Sequence, residues 1–183
     1  MFTYRVDENI VLKLVDMRDL DIFHGMCVRN YEHLKKWMSW VEVDTPKSKV
    51  ENFIKGCMRQ FADGLGVQCT VYYKGQVCGI IGHNDMNTMH KFVSIGYWLD
   101  EDYTGKGIMT KVCKALIDMT FEDYEIHRIE IRTATENNKS YAIPERLGFV
   151  KEGTIRQVEL VRGNYYDHYV YGMLREDWKK LND

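Results

Sequence analysis

Thr104-Gly105-Lys106-Gly107 is the stretch of this 183-residue chain best suited to holding a charged ligand. Its two glycines lack a Cβ and adopt positive φ readily, so a ligand can come close to the main-chain amides. Ile108, Val112, Ala115, Leu116 and Met119 then repeat at helical spacing, so the turn opens a helix whose first amides have no intrahelical acceptor. Amides and helix dipole together make a seat for a diphosphate. Two other phosphate loops are excluded by spacing. Four residues do not separate a Gly from Gly-Lys-Ser/Thr, and Thr110 stands where the dinucleotide fingerprint needs a third glycine. Asp167 and His168 form no dyad, because neighbours on a strand face opposite ways. His83 and His90 fall in a polar, irregular stretch from His83 to Lys91 and read as loop residues, and no Cys, Asp or Glu at ligand spacing suggests a metal.

The elements that must position this turn are legible from periodicity. Val93 to Leu99 is β-branched and aromatic and reads as the strand leading into it. Tyr4 to Leu14 is expected to form a first strand and Asp16 to Cys27 a short helix. Leu34, Trp37 and Trp40 recur every three residues and would share one helical face. That segment either pins a helix to the core or walls an acceptor pocket. Thr45 as cap and Pro46 at the first helical position open a helix whose stripe is Val50, Phe53, Ile54, Cys57, Met58 and Phe61. Gln68 to Tyr73 and Val77 to Gly82 read as a hairpin around Lys74-Gly75-Gln76. Arg128 to Thr133 is a cleanly alternating strand, and Phe149 to Gln157 and Tyr165 to Leu174 complete the sheet.

Composition narrows the class. The chain is long enough to bury a core without disulfides or metals, and it reads as a single domain over residues 1–183. A net charge of −2 with dispersed Lys and Arg gives no footprint for nucleic acid. No apolar run is long enough for a membrane span, and Met1 to Arg5 lacks the apolar core expected of a signal peptide. Cys27, Cys57, Cys69, Cys78 and Cys113 are scattered without a Cys-x-x-Cys pair. They suggest buried thiols in a reducing compartment, so a cytoplasmic protein is expected.

A second motif lies about thirty residues beyond the first: Asn137-Asn138-Lys139-Ser140-Tyr141-Ala142-Ile143-Pro144-Glu145-Arg146-Leu147-Gly148-Phe149. It resembles the Asn-x-x-Ser-x-x-x-x-Glu-Lys-Leu-Gly-Phe helix of the GCN5-related N-acetyltransferase (GNAT) superfamily. Thr104 to Met109 resembles that superfamily's coenzyme A loop, Gln/Arg-x-x-Gly-x-Gly/Ala, matching at Gly107 and departing at Thr104 and Met109. Asn30-Tyr31-Glu32-His33-Leu34-Lys35-Lys36-Trp37-Met38-Ser39-Trp40 resembles the branch that acetylates N-termini of ribosomal proteins. The resemblance runs from about residue 5 to residue 178. It implies an α+β fold with about seven strands, mostly antiparallel with one splayed parallel pair, flanked by helices.

The resemblance also implies roles. Tyr97, Trp98 and Leu99 would pair with the pantetheine arm of acetyl-CoA in the gap left by the splay. Thr104, Gly105, Lys106, Gly107, Ile108, Met109 and Thr110 would cradle its diphosphate, with Lys106 as a point charge. Asp100, Glu101 and Asp102 must then point away from the phosphates. Asn137 reads as a helix cap, and the resemblance adds a hydrogen bond to pantetheine. The tyrosine that many members use as acid is replaced by Pro144. Ser140 lies one turn earlier on the same face, whereas Tyr141 points about 100° away, so Ser140 is the candidate acid. Glu159 is the candidate base, acting through a water. Its alternative is an ion pair with Arg156 or Arg162. An α-amine near pKa 8 is easier to present neutral than a lysine near 10.4 by about 3 kcal/mol. The expected reaction is therefore direct acetyl transfer from acetyl-CoA to the N-terminal amine of a ribosomal protein, with no metal and no cysteine intermediate. The rivals are a small amine acceptor, such as a polyamine, aminoglycoside or amino sugar, and a low-turnover acetyl-CoA-binding regulator. The oligomeric state is left open, a homo-oligomer included.

Overall fold

The computed structural model describes residues 2–182. The strands are β1 (Thr3–Arg5), β2 (Ile10–Leu14), β3 (Gln68–Tyr73), β4 (Gln76–Asn87), β5 (Phe92–Leu99), β6 (Arg128–Ala134), β7 (Val150–Val161) and β8 (Asn164–Leu174). The helices are α1 (Leu20–Arg29), α2 (Tyr31–Leu34), α3 (Lys47–Ala62), α4 (Ile108–Asp123), α5 (Asn138–Arg146) and α6 (Arg175–Asn182). The strands form one sheet in the order β1-β2-β3-β4-β5-β6-β8-β7. The chain divides into two compact units. One runs up to Ile81 and includes Tyr97–Ile108; the other comprises Gly82–Gly96 and the chain from Met109 onward.

In the first unit, α1 and α3 pack together. Val15, Phe23, Cys27, Val50, Ile54, Cys57 and Ile80 form a buried cluster, with Trp98 of β5 packed against it. Phe23 meets Trp98 edge to face at 6.5 Å between ring centroids. Cutting Phe23 to Ala would cost about 3–5 kcal/mol. Lys13 is buried on β2 with its Nζ 2.6 Å from Asp19, a pair whose loss on one side would leave an uncompensated charge.

In the second unit, one face of β6 is buried through Ile129 and Ile131, as are Val112, Cys113, Leu116 and Ile117 of α4. The guanidinium of Arg175 donates to the carbonyls of Phe121, Tyr124 and Ile126, closing the C-terminal end of α4 with a positive charge. Trp178 donates its indole N–H to Asp118 at 2.8 Å.

Several expectations are corrected. Tyr4 to Leu14 is two strands rather than one, so the described residues form eight strands where about seven were expected. The Asp7 carboxylate accepts the amides of Asn9 and Ile10 and turns the chain back on itself. The helix through the tryptophans stops at Leu34, so Trp37 and Trp40 lie in turns beyond it and Trp40 is exposed. Thr45 does not cap α3. Its hydroxyl ties back to Glu42, and Pro46 occupies the cap position with extended backbone. Gln76 belongs to β4, and the hairpin turn is the pair Lys74-Gly75, with φ of 49° and 78°. Two consecutive residues at positive φ match the twist of the flanking strands.

His83 is no loop residue. β4 continues to Asn87, and His83 is fully buried in it, with Nε2 2.7 Å from the Thr120 hydroxyl. Burial lowers its pKa to about 4.

Candidate active site

The parallel pair opens early. β5 pairs with β6 at Phe92–Arg128, Val93–Ile129 and Ser94–Glu130. Among the described residues the pairing goes no further, although β5 runs to Leu99 and β6 to Ala134. Ile95 and Gly96 therefore leave the ladder before the strand ends, which is the geometry of a splay. Tyr97, Trp98 and Leu99, expected to line the gap, are half-buried at the end of β5. Gly79 lets β4 run close beside them, since a Cβ there would stand 2.5 Å from the Trp98 carbonyl.

Asp100 directs the chain out of β5. Its amide donates to Cys78 O at 2.8 Å, and its carboxylate accepts the Asp102 amide at 3.2 Å, capping the short 3-10 turn Glu101–Tyr103. Arg29 at the end of α1 grips the same carboxylate through Nε at 3.0 Å and Nη2 at 2.6 Å. Asn30 adds a bond from the Glu101 amide to its Oδ1 at 3.0 Å. Burial of Asp100 pushes its pKa up, but Asn30 and Arg29 outweigh that and hold it below the usual carboxylate value. Asp100 thus faces α1.

The amides of Tyr103 and Thr104 close the turn onto Asp100 O and Glu101 O. Among the described residues no hydrogen bond consumes the amides of Gly105, Lys106 or Gly107. Gly105 and Gly107 sit at φ of 75° and 72°, and a Cβ on either would meet nothing within 4 Å. A β-carbon at Gly107 would therefore intrude on open space, at a φ that side chains resist. Ile108 and Met109 are buried, so only their main chain is available to a ligand. An open turn with uncommitted donors at the start of a 16-residue helix fits a diphosphate. Lys106 is already engaged: its Nζ donates to Asp102 O at 2.7 Å and lies 4.9 Å from the Tyr103 ring.

In the second unit, Asn137 caps α5, accepting the Ser140 amide on Oδ1 at 3.2 Å. Ser140 is half-buried on the first turn, and Pro144 is buried within the helix. Tyr141 is turned edge to face onto Tyr169 at 5.6 Å. Arg146 ties the end of α5 to Thr110 of α4 at 3.3 Å.

Glu159 lies at ion-pair distance from His168, Nε2 to Oε2 at 3.0 Å. A bulge makes this contact. β7 and β8 pair at Ile155–His168 and next at Glu159–Tyr166, so three residues of β7 face Asp167 alone. Gln157 takes φ of 50° and donates its amide to Asp167 Oδ1 at 2.8 Å. Asp167 and His168 do point apart, and each holds a different part of the bulged strand. Arg29 and His168 are the residues that sequence reasoning missed. Their partners lie 71 and 9 positions away, and no periodic pattern links either pair.

Residues 9–150 match the family model for the acetyltransferase (GNAT) domain. The chain belongs to the GNAT family. This GNAT acetyltransferase is 34% identical to the putative ribosomal N-acetyltransferase YdaF of Bacillus subtilis, over 98% of this chain and 98% of that protein. It is 24% identical to the ribosomal-protein-serine acetyltransferase of Escherichia coli, over 94% and 96%. The microcin C7 self immunity acetyltransferase MccE, solved with acetyl-CoA and AMP, superposes with a TM-score of 0.87 at 27% identity, over 92% of this chain and 94% of that one.

Burial raises the thiol pKa of Cys27 to about 11 and of Cys57, Cys69 and Cys78 to about 12, and raises that of Cys113 further. Such thiols carry negligible thiolate at neutral pH. Among the described residues no group of three His, Cys, Asp or Glu side chains is placed to hold a metal ion, and no helix is long and apolar enough to cross a membrane.

Proposed function

We propose that this GNAT enzyme is a single catalytic domain that uses acetyl-CoA to acetylate the N-terminal α-amine of a protein, by direct transfer within a ternary complex. The observation that carries the coenzyme assignment is the turn at Gly105 to Gly107, whose amides are uncommitted and whose surroundings are open. These amides and the first turn of α4 would hold the diphosphate. The main chain of Ile95 to Leu99, released from β6, would hold the pantetheine arm, with Asn137 contributing from the α5 cap. Acetyl-CoA supplies the activated acyl group; the chain supplies orientation and proton handling. Glu159 takes the proton of the attacking amine through a water, and the Ser140 hydroxyl provides a hydrogen bond to the departing sulfur.

YdaF and the E. coli enzyme are both named for ribosomal substrates, which favours a ribosomal protein as acceptor and a cytoplasmic setting. A lower α-amine pKa favours an N-terminus over a lysine side chain. A small-molecule acceptor is the second reading, favoured by the AMP in the MccE structure. The deciding experiment incubates the enzyme with acetyl-CoA and compares N-terminal peptides of ribosomal proteins, beginning with Ser or Ala, against polyamines, aminoglycosides and nucleotide-linked amines. Acetylation of a peptide α-amine at the highest kcat/KM supports the proposal. Preference for a small amine overturns it.

A further inference from the structure

We propose that His168 is the positioning residue of Glu159, holding one carboxylate oxygen so that the other faces the water that relays the amine proton. This rests on the reading of Glu159 as the proton acceptor. Three observations carry it. First, the bulge moves Glu159. Continued from Ile155–His168, an unbroken antiparallel ladder would place Glu159 opposite Asn164, at the hairpin end. The two extra residues instead bring it opposite Tyr166, about 7 Å closer to His168 along the strand. A shift of two residues keeps the side chain on the same face, so Glu159, Tyr166 and His168 point the same way.

Second, the bulge is held in place. Gln157 sits in the left-handed region, and Asp167 accepts its amide. Bulges that re-aim a side chain recur beside active sites.

Third, the imidazole is enclosed where the carboxylate is not. Nε2 of His168 is a buried atom, and the side chain is 14% exposed against 34% for Glu159. Ala134 of β6 and Ile155 of β7 stand opposite His168 in the register and are apolar, so Glu159 is the charged group that this ring meets. The contact is at ion-pair distance, 3.0 Å, without the angle of an aligned hydrogen bond, and it engages Oε2 of the carboxylate. A glutamate at an exposed strand edge otherwise samples several rotamers, and only some would reach an amine.

The test is a double-mutant cycle on the intact enzyme with acetyl-CoA and the acceptor that gives the highest kcat/KM. Glu159→Gln should lower kcat by about a hundredfold. His168→Leu should lower kcat by about tenfold, with KM for acetyl-CoA within about twofold of the parent. His168→Gln, whose side-chain N–H can still reach Glu159, should restore kcat to within about threefold. The double variant Glu159→Gln, His168→Leu should match Glu159→Gln alone. If His168→Leu does not fold, the comparison of His168→Gln with the shorter His168→Asn makes the same measurement, with only Gln retaining activity. Multiplicative losses in the double variant, or full activity in His168→Leu, overturn the role of His168 while leaving Glu159 as base. Full activity in Glu159→Gln overturns both.

Discussion

The glycine turn proposed to hold coenzyme and the Glu159 hairpin are built on opposite principles. The turn uses main chain: amides of Gly105 to Gly107, two positive-φ glycines and a helix start, with Asp100 anchored by Arg29 behind it. The hairpin uses side chains: Glu159 on the largely exposed β7, and His168 and Asp167 on the half-buried β8, aimed by a bulge. Backbone donors tolerate changes of side chain but not of conformation, so the first region should fail through φ. The second should fail through lost functional groups while the conformation persists.

Gly107→Val offers the largest break. Its Cβ meets no neighbour within 4 Å, so the fold should persist, while a β-branched residue at φ of 72° would have to move the turn. Coenzyme affinity measured by calorimetry should fall by more than about a hundredfold, and Gly107→Ala by about tenfold. Retained affinity in the Val variant would show that the turn is not the cradle. Glu159→Gln should do the reverse, lowering kcat by about a hundredfold while leaving the dissociation constant for coenzyme A unchanged within twofold. A change in coenzyme affinity would mean that the two regions are not separable.

A pH titration of stability should leave the contrast untouched, because it reports a buried group in neither region. Burial lowers the His83 pKa from 6.5 to about 4. Between those values the unfolded chain binds a proton that the folded chain refuses, so stability falls as pH drops through this window, by about 3 kcal/mol in total. Denaturant melts from pH 7 to pH 4 should show this loss, and His83→Gln should flatten it. The smallest effect sharpens the anchoring of the turn. Arg29→Gln removes the charge from a guanidinium that is half exposed, so coenzyme affinity should weaken by only about threefold to tenfold, with kcat nearly unchanged. An affinity equal to the parent's would show that Asp100 holds the turn without α1.

The same contrast explains what could be read from the chain. The strand, glycine turn and α4 were legible because Val93 to Leu99 and the stripe from Ile108 to Met119 are local patterns. The Asn137 cap was legible for the same reason. The end of β4 was not: Asn84, Asp85 and Asn87 are poor strand formers, and pairing in the sheet overrides their preference. The tryptophan segment misled because a spacing of three residues fits turns as well as a helix. Arg29–Asp100 depends on chain reversal over 71 residues. Glu159–His168 depends on a bulge, which leaves the alternation of side chains intact and so leaves no trace in periodicity.

That irregularity lies on β7, an edge strand of the sheet. A straight, exposed terminal strand of this length would offer its free amides and carbonyls to any passing chain. Kinked at Gln157 and interrupted over three residues, β7 makes a poor template for such addition. Shortening the strand to restore an even ladder would thus do more than misplace a carboxylate: it would leave a sticky border and an enzyme prone to aggregate.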